Sequence, residues 1–469
     1  MTEHSSAAAP RAPIQLLDQF GYPVTVLGAP EPERAVDAWN AAVRAFLAHG
    51  ASTPAHLADA LAAAPLGFPL AEAAKGFFLL LLGRPELRDT AADALRAAQH
   101  ALPQATAREQ AVAEALALYL SGSPARAADR LDAALSAAPG DGLLMKLVHG
   151  LRFVLGDLQG MRRSIEAALP AFTPSHPAYG YALGCHAFAL EETGSYLAAE
   201  RAGRAAVARA PDDAWGLHAV AHVMDMTNRT GDGVAWITSQ TGKWGHCNNF
   251  GYHIWWHLAL FHLDRGEISE VLRLYDAHIR HDHTDDYRDI SNGASLLARL
   301  ECEGVDVGDR WEEMASLAER RTEDGCVVFA DLHYLLALGA TGREAASGRL
   351  IGALQSAAQR KISCMDQVAD AAGVAAAHGL HAFAMADYVQ AHAALSSALP
   401  KLQRVGGSHA QRDVFERLAI EAALRSGLLT EARRAIQDRT RRRGALDAYA
   451  EIRLARIATL AEEAKIAAG

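Results

Sequence analysis

Residues 194–211 read GSYLAAERAGRAAVARAP, and residues 122–139 read GSPARAADRLDAALSAAP. In both stretches alanines stand five and twelve residues after the first glycine, and a proline stands seventeen residues after it. Small residues let two helices approach closely, glycine favours the turn between them, and proline ends the second helix. The two stretches therefore predict a repeated pair of antiparallel helices.

Weaker copies of this pattern recur along the chain. The first five turn glycines are Gly122, Gly156, Gly194, Gly231 and Gly266, which lie 34, 38, 37 and 35 residues apart. Further copies fall on Gly304, Gly342, Ala386 and Gly427. This period is typical of tetratricopeptide repeats, in which each unit is a helical hairpin. We therefore predict an all-α fold, a right-handed α-solenoid of about nine tetratricopeptide-like hairpins whose concave face encloses a cavity.

The repeats divide the chain into three regions. Residues 105–469 are predicted to form one continuous solenoid, because they carry the period and no linker rich in proline, glycine or serine interrupts them. Residues 14–104 show helical composition without a clear period and are predicted to form an N-terminal helical cap. Residues 1–13 are predicted to be disordered.

The composition narrows the choice of partners and compartment. A formal net charge of −10 argues against a nucleic-acid or anionic-membrane surface. The longest apolar run near the start, residues 77–82, is far shorter than the ~20 residues that span a bilayer. The five cysteines are scattered without CxxC spacing, which favours a reducing compartment, so we expect a cytoplasmic protein. A homo-oligomer is compatible with these features.

Two pairs of histidines carry the most specific chemistry. His218 and His222 are four residues apart, as are His253 and His257, so each pair lies on one face of a helix. When the turn glycine of each repeat is numbered 15, both pairs fall at positions 2 and 6, in consecutive repeats. Three roles stay open for these imidazoles: metal ligands, acid–base or hydrogen-bonding groups without a metal, and structural groups.

Several stretches that contain these histidines resemble the tetratricopeptide repeat protein 38 family. They are residues 186–196 (HAFALEETGSY), 218–226 (HAVAHVMDM), 253–266 (HIWWHLALFHLDRG), 331–333 (DLH) and 406–413 (GGSHAQRD). The resemblance extends from about residue 30 to residue 435 and implies a tetratricopeptide-like fold whose first helices line the concave groove. It implies no particular reaction, because the biochemical role of the family is poorly defined.

Two residues depart from what is usual in that family. Asp225 stands where the family usually has glutamate, so a carboxylate is kept with a shorter reach. Asn292 stands where the family usually has aspartate, which puts in doubt any role that needs a negative charge at this position.

The polar groups of the first helices and of one loop are predicted to form a single site. The candidate metal ligands are His218, His222, His253 and His257, and zinc or iron would suit them. The candidate catalytic residues are His186, Glu192, Asp331, His333 and His409. The candidate substrate-binding residues are Trp215, Asp225, Trp256 and Asp413. Because Ala219 follows His218, the pattern is not HExxH, and a base from elsewhere would have to activate water.

Two classes of function follow from these features. The first is an enzyme that acts on a small molecule inside the groove, either a hydrolase that uses a metal or histidine acid–base chemistry, or an oxidative enzyme if the metal is iron. The second is a non-catalytic scaffold that binds a peptide or protein in the groove. The sequence favours the enzyme, because the first helices carry His, Trp, Asp and Glu where a peptide scaffold usually carries Lys, Arg and Asn.

Overall fold

The computed structural model describes residues 13–468 and shows an all-α solenoid, which confirms the predicted fold class. These residues form 24 α-helices and one two-stranded sheet. Residues 1–12 and 469 lie outside the described residues, and with them almost all of the segment predicted to be disordered. No helix within 13–468 is long and apolar enough to cross a membrane.

The segment predicted to be a helical cap begins with a β-hairpin, so this prediction is wrong for its first residues. Strands β1 (Ile14–Leu17) and β2 (Pro23–Val26) are antiparallel, with Ile14 opposite Val26. The hairpin is anchored to the helices by Thr25, whose backbone N–H and hydroxyl donate to the Glu109 carboxylate over 2.8 Å each. A four-residue strand is too short for its alternation to stand out in a chain otherwise rich in helix formers.

Helices pair into eleven consecutive hairpins. The first six are α1 (Pro32–Leu47) with α2 (Thr53–Ala63), α3 (Pro69–Leu81) with α4 (Arg88–Ala101), α5 (Ala107–Leu120) with α6 (Pro124–Ala137), α7 (Gly142–Val154) with α8 (Leu158–Ala168), α9 (Tyr179–Glu192) with α10 (Tyr196–Arg209), and α11 (Ala214–Met226) with α12 (Thr230–Thr238). The next three are α13 (Phe250–Asp264) with α14 (Ile268–Leu274), α15 (Tyr287–Cys302) with α16 (Arg310–Glu319), and α17 (Val328–Ala340) with α18 (Glu344–Arg360).

The last two hairpins are followed by a single long helix. Helix α19 (Cys364–Val368) continues through a π-helical turn, Ala369–Gly373, into α20 (Val374–Ala384), which pairs with α21 (Tyr388–Ala398). Helix α22 (His409–Arg425) pairs with α23 (Leu429–Arg443), and α24 (Ala448–Ala468) ends the described chain. A second π-helical turn, Tyr275–Ile279, extends α14, and short 3-10 turns lie at Pro85–Leu87, Leu102–Gln104, Leu169–Ala171, Thr241–Lys243 and Leu399–Val405.

All nine predicted hairpins are present, and in eight of them the predicted turn residue has the left-handed backbone conformation. The exception is the hairpin assigned to Gly231, where the left-handed residue is Asn228, with φ of 54°, and Gly231 lies inside α12. Asparagine tolerates this conformation, so it replaced the expected glycine. The correction moves His218 and His222 from positions 2 and 6 of the repeat to positions 5 and 9.

The same unit extends into the region predicted to be an aperiodic cap. Helices α1 and α2 are joined through His49 with φ of 58°, and α3 and α4 through Gly83 with φ of 62°. These two turns are 34 residues apart, which is within the repeat period. A histidine in the left-handed turn hid the first of these hairpins from the sequence analysis.

Hydrogen bonds between residues far apart in sequence connect the hairpins at each end of the solenoid to hairpins in its middle. Hydrogen bonds join His246 to Ala48, Gln403 to Gly156, His409 to Glu192 and Arg443 to Asp225. These partners are 198 to 247 positions apart in sequence. The inner helices are covered on both sides as a result, and all thirteen residues of α11 are buried.

Candidate metal centre

Two neighbouring inner helices supply the four paired histidines. His218 and His222 lie on α11, which begins at Asp213, where the side chain accepts a hydrogen bond from the backbone N–H of Gly216 over 3.1 Å. His253 and His257 lie on α13, which contacts α11 across the solenoid repeat. The corrected numbering places the α11 pair three repeat positions later than the α13 pair. Three residues are close to one helical turn of 3.6 residues, so both pairs still face the same space.

The four imidazoles meet at one point. The Nε2 atom of His218 lies 3.0 Å from Nε2 of His253 and 2.9 Å from Nε2 of His222. One nitrogen from each of the four histidines lies within 4.8 Å of the others, and we call this set the histidine cluster. Zinc–nitrogen bonds of 2.0–2.1 Å imply ligand nitrogens about 3.4 Å apart in a tetrahedron, so these spacings fit a single small ion.

The cavity predicted inside the concave face does not open between the four imidazoles. The ring centroids of His218 and His257 are 4.9 Å apart, and those of His222 and His257 are 4.5 Å apart, so the imidazoles are in contact. An ion fits between them, but a substrate does not. His253 is partly exposed as a residue, although its ring is buried like those of the other three histidines.

The cluster is neutral near pH 7. Burial lowers the pKa of His218, His222 and His257 well below the usual value, and nearby groups that can carry positive charge add to the effect. Burial also lowers the pKa of His253 to about 4, against the opposing effect of its hydrogen bond to Asn292. Neutral imidazole is the form that binds metal ions, so the surroundings keep these residues ready for that role.

One of the histidines has a hydrogen-bond acceptor on the side of the ring that faces away from the cluster. Nδ1 of His253 lies 2.9 Å from Oδ1 of Asn292, which holds the proton there and leaves Nε2 free as a ligand. Asn292, the residue that departs from the family pattern, therefore lies directly against the cluster. It provides the acceptor for His253 through an uncharged amide oxygen. Nδ1 of His222 is 3.5 Å from Oε2 of Glu191 and makes no hydrogen bond among the described protein atoms.

An aromatic wall surrounds the histidine cluster. The ring centroids of Phe188, Trp215 and Phe250 lie 5.4, 5.1 and 5.2 Å from that of His218. Trp215, a predicted substrate-binding residue, is buried in this wall, where its Nε1 donates to Nε2 of His149 over 3.0 Å. Trp256, the other predicted aromatic contact, is fully buried and stacks on His253 with centroids 5.1 Å apart.

Two predicted catalytic residues, Glu192 and His409, lie beside the cluster. Oxygens of Glu191 and Glu192 and one nitrogen of His222 lie within 4.8 Å of one another. Glu192 accepts a hydrogen bond from the backbone N–H of His409 over 2.8 Å, and its carboxylate is 3.6 Å from the Arg412 guanidinium. Glu191 was not among the predicted site residues. Its signal is its position three residues after Phe188, which places both on the helix face that meets α11.

His186 is not part of this site, contrary to the prediction. Its Nε2 lies 3.5 Å from Oε1 of Glu166, in a surface pocket lined also by Leu169 and Phe172. Residues two apart on a helix point to opposite sides, and Phe188 is the residue that faces His218. The prediction rested on the position of His186 within its repeat, and this position does not determine how α9 is rotated about its axis.

Asp331 and His333 of α17 point to different surroundings for the same reason. Nδ1 of His333 donates to the backbone carbonyl of Phe329 over 2.7 Å, and burial lowers the pKa of its ring to about 3. Burial, with a smaller contribution from Asp324, raises the pKa of Asp331 to about 8. Asp331 therefore lies on the Asp324 side of the helix, away from His333.

The two predicted substrate-binding aspartates are paired with arginines instead. Oδ1 of Asp225 lies 2.8 Å from the guanidinium of Arg443. The carboxylate of Asp413 lies 2.7 Å from Arg417 and 2.5 Å from Arg439. Arg443 and Arg439 come from α23, 218 and 26 positions away from their partners, whereas Arg417 lies four residues after Asp413 on α22. Both aspartates are held in ion pairs within the protein, and their role as ligand contacts stays a prediction.

Comparisons with known proteins add little to this description. No model of a known protein family matches the chain. Among solved structures, the chain is similar to the TPR domain of P58(IPK), at 12% identity and a TM-score of 0.22, over 76% of this chain and 99% of that one. It is also similar to Naa15/Naa10 bound to HypK-THB, at 11% identity and a TM-score of 0.24, over 79% of this chain and 63% of that one. Scores this low carry no argument about the site.

Proposed function

We propose that this helical-repeat protein holds one metal ion, zinc or iron, in the histidine cluster. The observation that carries the proposal is the convergence of four buried, neutral imidazoles, with one nitrogen of each within 4.8 Å of the others. A cluster of this kind is costly without an occupant, because both nitrogens of His257 and Nδ1 of His218 have no partner among the described protein atoms. A bound cation would satisfy the inward-facing nitrogens together.

The proposed activity is chemistry on a small molecule at the His253 side of the cluster. A zinc ion held by three of the four histidines would supply an activated water at its open position for hydrolysis, and an iron ion would favour oxidation. The protein's own contribution is to orient His253 through Asn292 and to exclude bulk water with the aromatic wall. Hydrolysis is the primary proposal, and oxidation is the second.

The competing proposal is a scaffold that binds a peptide along the inner face. Such a scaffold needs open first helices, whereas α11 is buried along its whole length. A peptide would therefore have to use another surface, and the packing favours the enclosed site over the scaffold.

We further propose that the chain belongs to the tetratricopeptide repeat protein 38 family and is cytoplasmic. The residues that carry the resemblance include the four clustered histidines, which supports a shared site. The five cysteines are free thiols, which is the state maintained in a reducing compartment.

The test of the metal proposal is elemental analysis of untagged protein. We expect close to one equivalent of zinc or iron in the wild type and less than a tenth in the double variant His222→Asn/His257→Asn. The control is His186→Asn/His278→Asn, which alters two histidines outside the cluster and should keep the metal. Wild-type protein that contains no transition metal, and gains no thermal stability when zinc or iron(II) is added, would contradict the proposal.

A further inference from the structure

Arg299 is a buried cation without a close carboxylate of its own. Its side chain is 1% exposed, and its two terminal nitrogens donate to the backbone carbonyls of Ser295 and Ala410, over 3.0 and 2.6 Å. The nearest ion-pair contact is to Asp413 at 3.9 Å, and that carboxylate is held more tightly by Arg417 and Arg439. Uncompensated buried charge is expensive, so a partner is expected.

The Nε nitrogen of Arg299 is also unused. It has no hydrogen-bond partner among the described protein atoms. Burial, and the positive charge of nearby Arg417, lower the pKa of the guanidinium to about 10, although Asp413 and Asp225 act in the opposite direction. An anion placed at Nε would relieve both deficits at once.

A second unpartnered donor lies against this guanidinium. The Cζ atom of Arg299 lies 5.6 Å from the ring centroid of Trp256, whose Nε1 has no partner within residues 13–468 although the side chain is fully buried. Trp256 precedes His257 in the histidine cluster, and their rings are 4.9 Å apart. Two unused N–H donors therefore lie next to the proposed metal centre.

His333 completes the set of unused groups. Because its Nδ1 donates to Phe329, its Nε2 is an acceptor, and Nε2 also has no partner in the described part of the chain. Burial, and to a smaller extent the charge of Arg299, lowers the pKa of both His333 and His257. Three polar groups from α13, α15 and α17 are thus buried without partners among the described protein atoms. Native proteins leave few such groups unsatisfied.

We propose that Arg299 and Trp256 form a carboxylate-binding subsite beside the histidine cluster, so that the protein acts on a small carboxylate. Arg299 Nε and Trp256 Nε1 donate to the carboxylate oxygens, and Nε2 of His333 accepts from a hydroxyl or N–H group of the same molecule. Two donors and one positive charge match a carboxylate better than a phosphate dianion. The proposal deepens the proposed function and rests on it for the reacting end of the ligand.

The test uses acetate as the probe on full-length protein, by calorimetric titration of the chelator-treated and the zinc-loaded forms. We expect saturable binding of one acetate in both forms. Trp256→Phe removes the indole N–H and keeps the ring, and Arg299→Lys removes Nε and keeps the charge. Each should raise the acetate Kd at least about tenfold, the usual scale of a lost charge-assisted hydrogen bond.

Matched controls are available on neighbouring positions. Trp255→Phe alters a tryptophan that stacks on His278 with centroids 4.1 Å apart, and Arg280→Lys alters a buried arginine that is paired with Glu313. Both should leave the acetate Kd within about twofold of the wild type, a change of less than about 0.5 kcal/mol. Because Trp256 is fully buried, Trp256→Phe also leaves a cavity, so its melting temperature without acetate is expected to fall and is measured alongside the acetate Kd.

The outcomes separate this inference from the metal proposal. Acetate binding that depends on Trp256 and Arg299 in metal-free protein supports the subsite even if no metal is found. Acetate binding only to the zinc-loaded form, unaffected by Trp256→Phe, would overturn the subsite and leave the metal centre standing. No acetate binding in either form, which is expected if buried waters satisfy these groups, or tighter binding of inorganic phosphate, would also overturn it.

Discussion

Two buried polar regions of this molecule differ in how their groups are paired. The C-terminal network of Asp413, Arg417, Arg439 and Asp447 joins α22, α23 and the residues before α24 through charge-assisted hydrogen bonds of 2.5 to 3.1 Å. Oδ2 of Asp447 makes no hydrogen bond within the described part of the chain, but it lies in an ion pair 2.8 Å from the Arg439 guanidinium. The histidine cluster and Arg299 lie just as deep but keep nitrogens without partners among the described protein atoms.

The difference separates groups that hold the fold from groups that await a ligand. A buried charge whose partners belong to the protein has its desolvation offset by the fold itself. A buried polar group without such a partner destabilises the fold, and it persists where something outside the chain can satisfy it. Asp413 and the histidines were predicted together as one site. The structure distinguishes them, because Asp413 is paired with arginines of the protein whereas the histidines keep nitrogens without a partner among the described residues.

The largest expected effect is on the paired region. Asp413→Asn removes the charge shared by Arg417 and Arg439 and leaves two buried guanidinium groups without it, so we expect a loss of about 3–5 kcal/mol in the free energy of unfolding. The measurement is denaturation by urea. The control Asp438→Asn alters an exposed pair with Arg441 and should cost less than about 1 kcal/mol. Equal losses in the two variants would break the comparison.

The two regions should also lose stability in different pH windows. The folded-state pKa of His253 is about 4, below the value of 6.5 in the unfolded chain, so the unfolded state binds more protons and stability falls as pH drops from 6.5 towards 4. At about 1.4 kcal/mol per pKa unit, this residue alone accounts for up to about 3 kcal/mol in metal-free protein.

The stability of the C-terminal network responds to pH differently. Although burial acts in the opposite direction, Arg439 and Arg417 hold the pKa of Asp413 well below its usual value of 3.8, so its contribution is complete above that pH and is lost only below it. Urea denaturation of metal-free protein between pH 7 and 4.5 tests both expectations, the one for His253 and the one for Asp413. The variant His253→Asn should flatten the slope in this range, and a slope unchanged by it would assign the pH dependence elsewhere.

A smaller effect, on zinc affinity, is expected for Asn292, which contacts the cluster through His253. Asn292→Ala removes the acceptor at Nδ1 of His253 and should weaken zinc binding 10- to 100-fold, the range found for residues that orient metal ligands. Asn292→Asp keeps an acceptor and should bind zinc at least as tightly as the wild type. Competition with a chelator measures both, and Asn40→Ala, far from the cluster, is the control. Equal affinities for Asn292→Ala and the wild type would show that Asn292 does not orient His253.

The smallest effect on stability should come from the cluster itself. Both nitrogens of His257 lack a protein partner, so His257→Leu in metal-free protein should change the free energy of unfolding by no more than about 1 kcal/mol. The same variant should lose its metal. A loss of several kcal/mol in the metal-free state would mean that the cluster supports the fold as the Asp413 network does.

The repeat pattern predicted the fold well because its signal is local. Eight of the nine proposed turn residues have the left-handed conformation, which glycine adopts at low cost. The turns at Asn228 and His49 were not predicted, because residues other than glycine can adopt the same conformation under tertiary constraint. The four-residue spacing of the histidines likewise fixed a shared helix face, and this predicted their convergence.

The rest of the site depends on facts that no short stretch of sequence contains. Whether His186 or Phe188 faces α11 is set by the rotation of α9, which packing decides. Asp225 meets Arg443 218 positions away, only because the solenoid closes. Arg299 carries no motif, and its significance lies in the partners that it lacks.

Closure of the solenoid changes how the chain should fold and unfold. An open repeat array has mostly neighbour contacts, so it can lose end repeats one at a time. Here bonds such as that between Gln403 and Gly156 raise the contact order, which slows folding, and tie the hairpins at each end to hairpins in the middle of the chain. We expect one cooperative transition rather than stepwise fraying, and deletion of either terminal hairpin should destabilise the middle hairpins that it contacts.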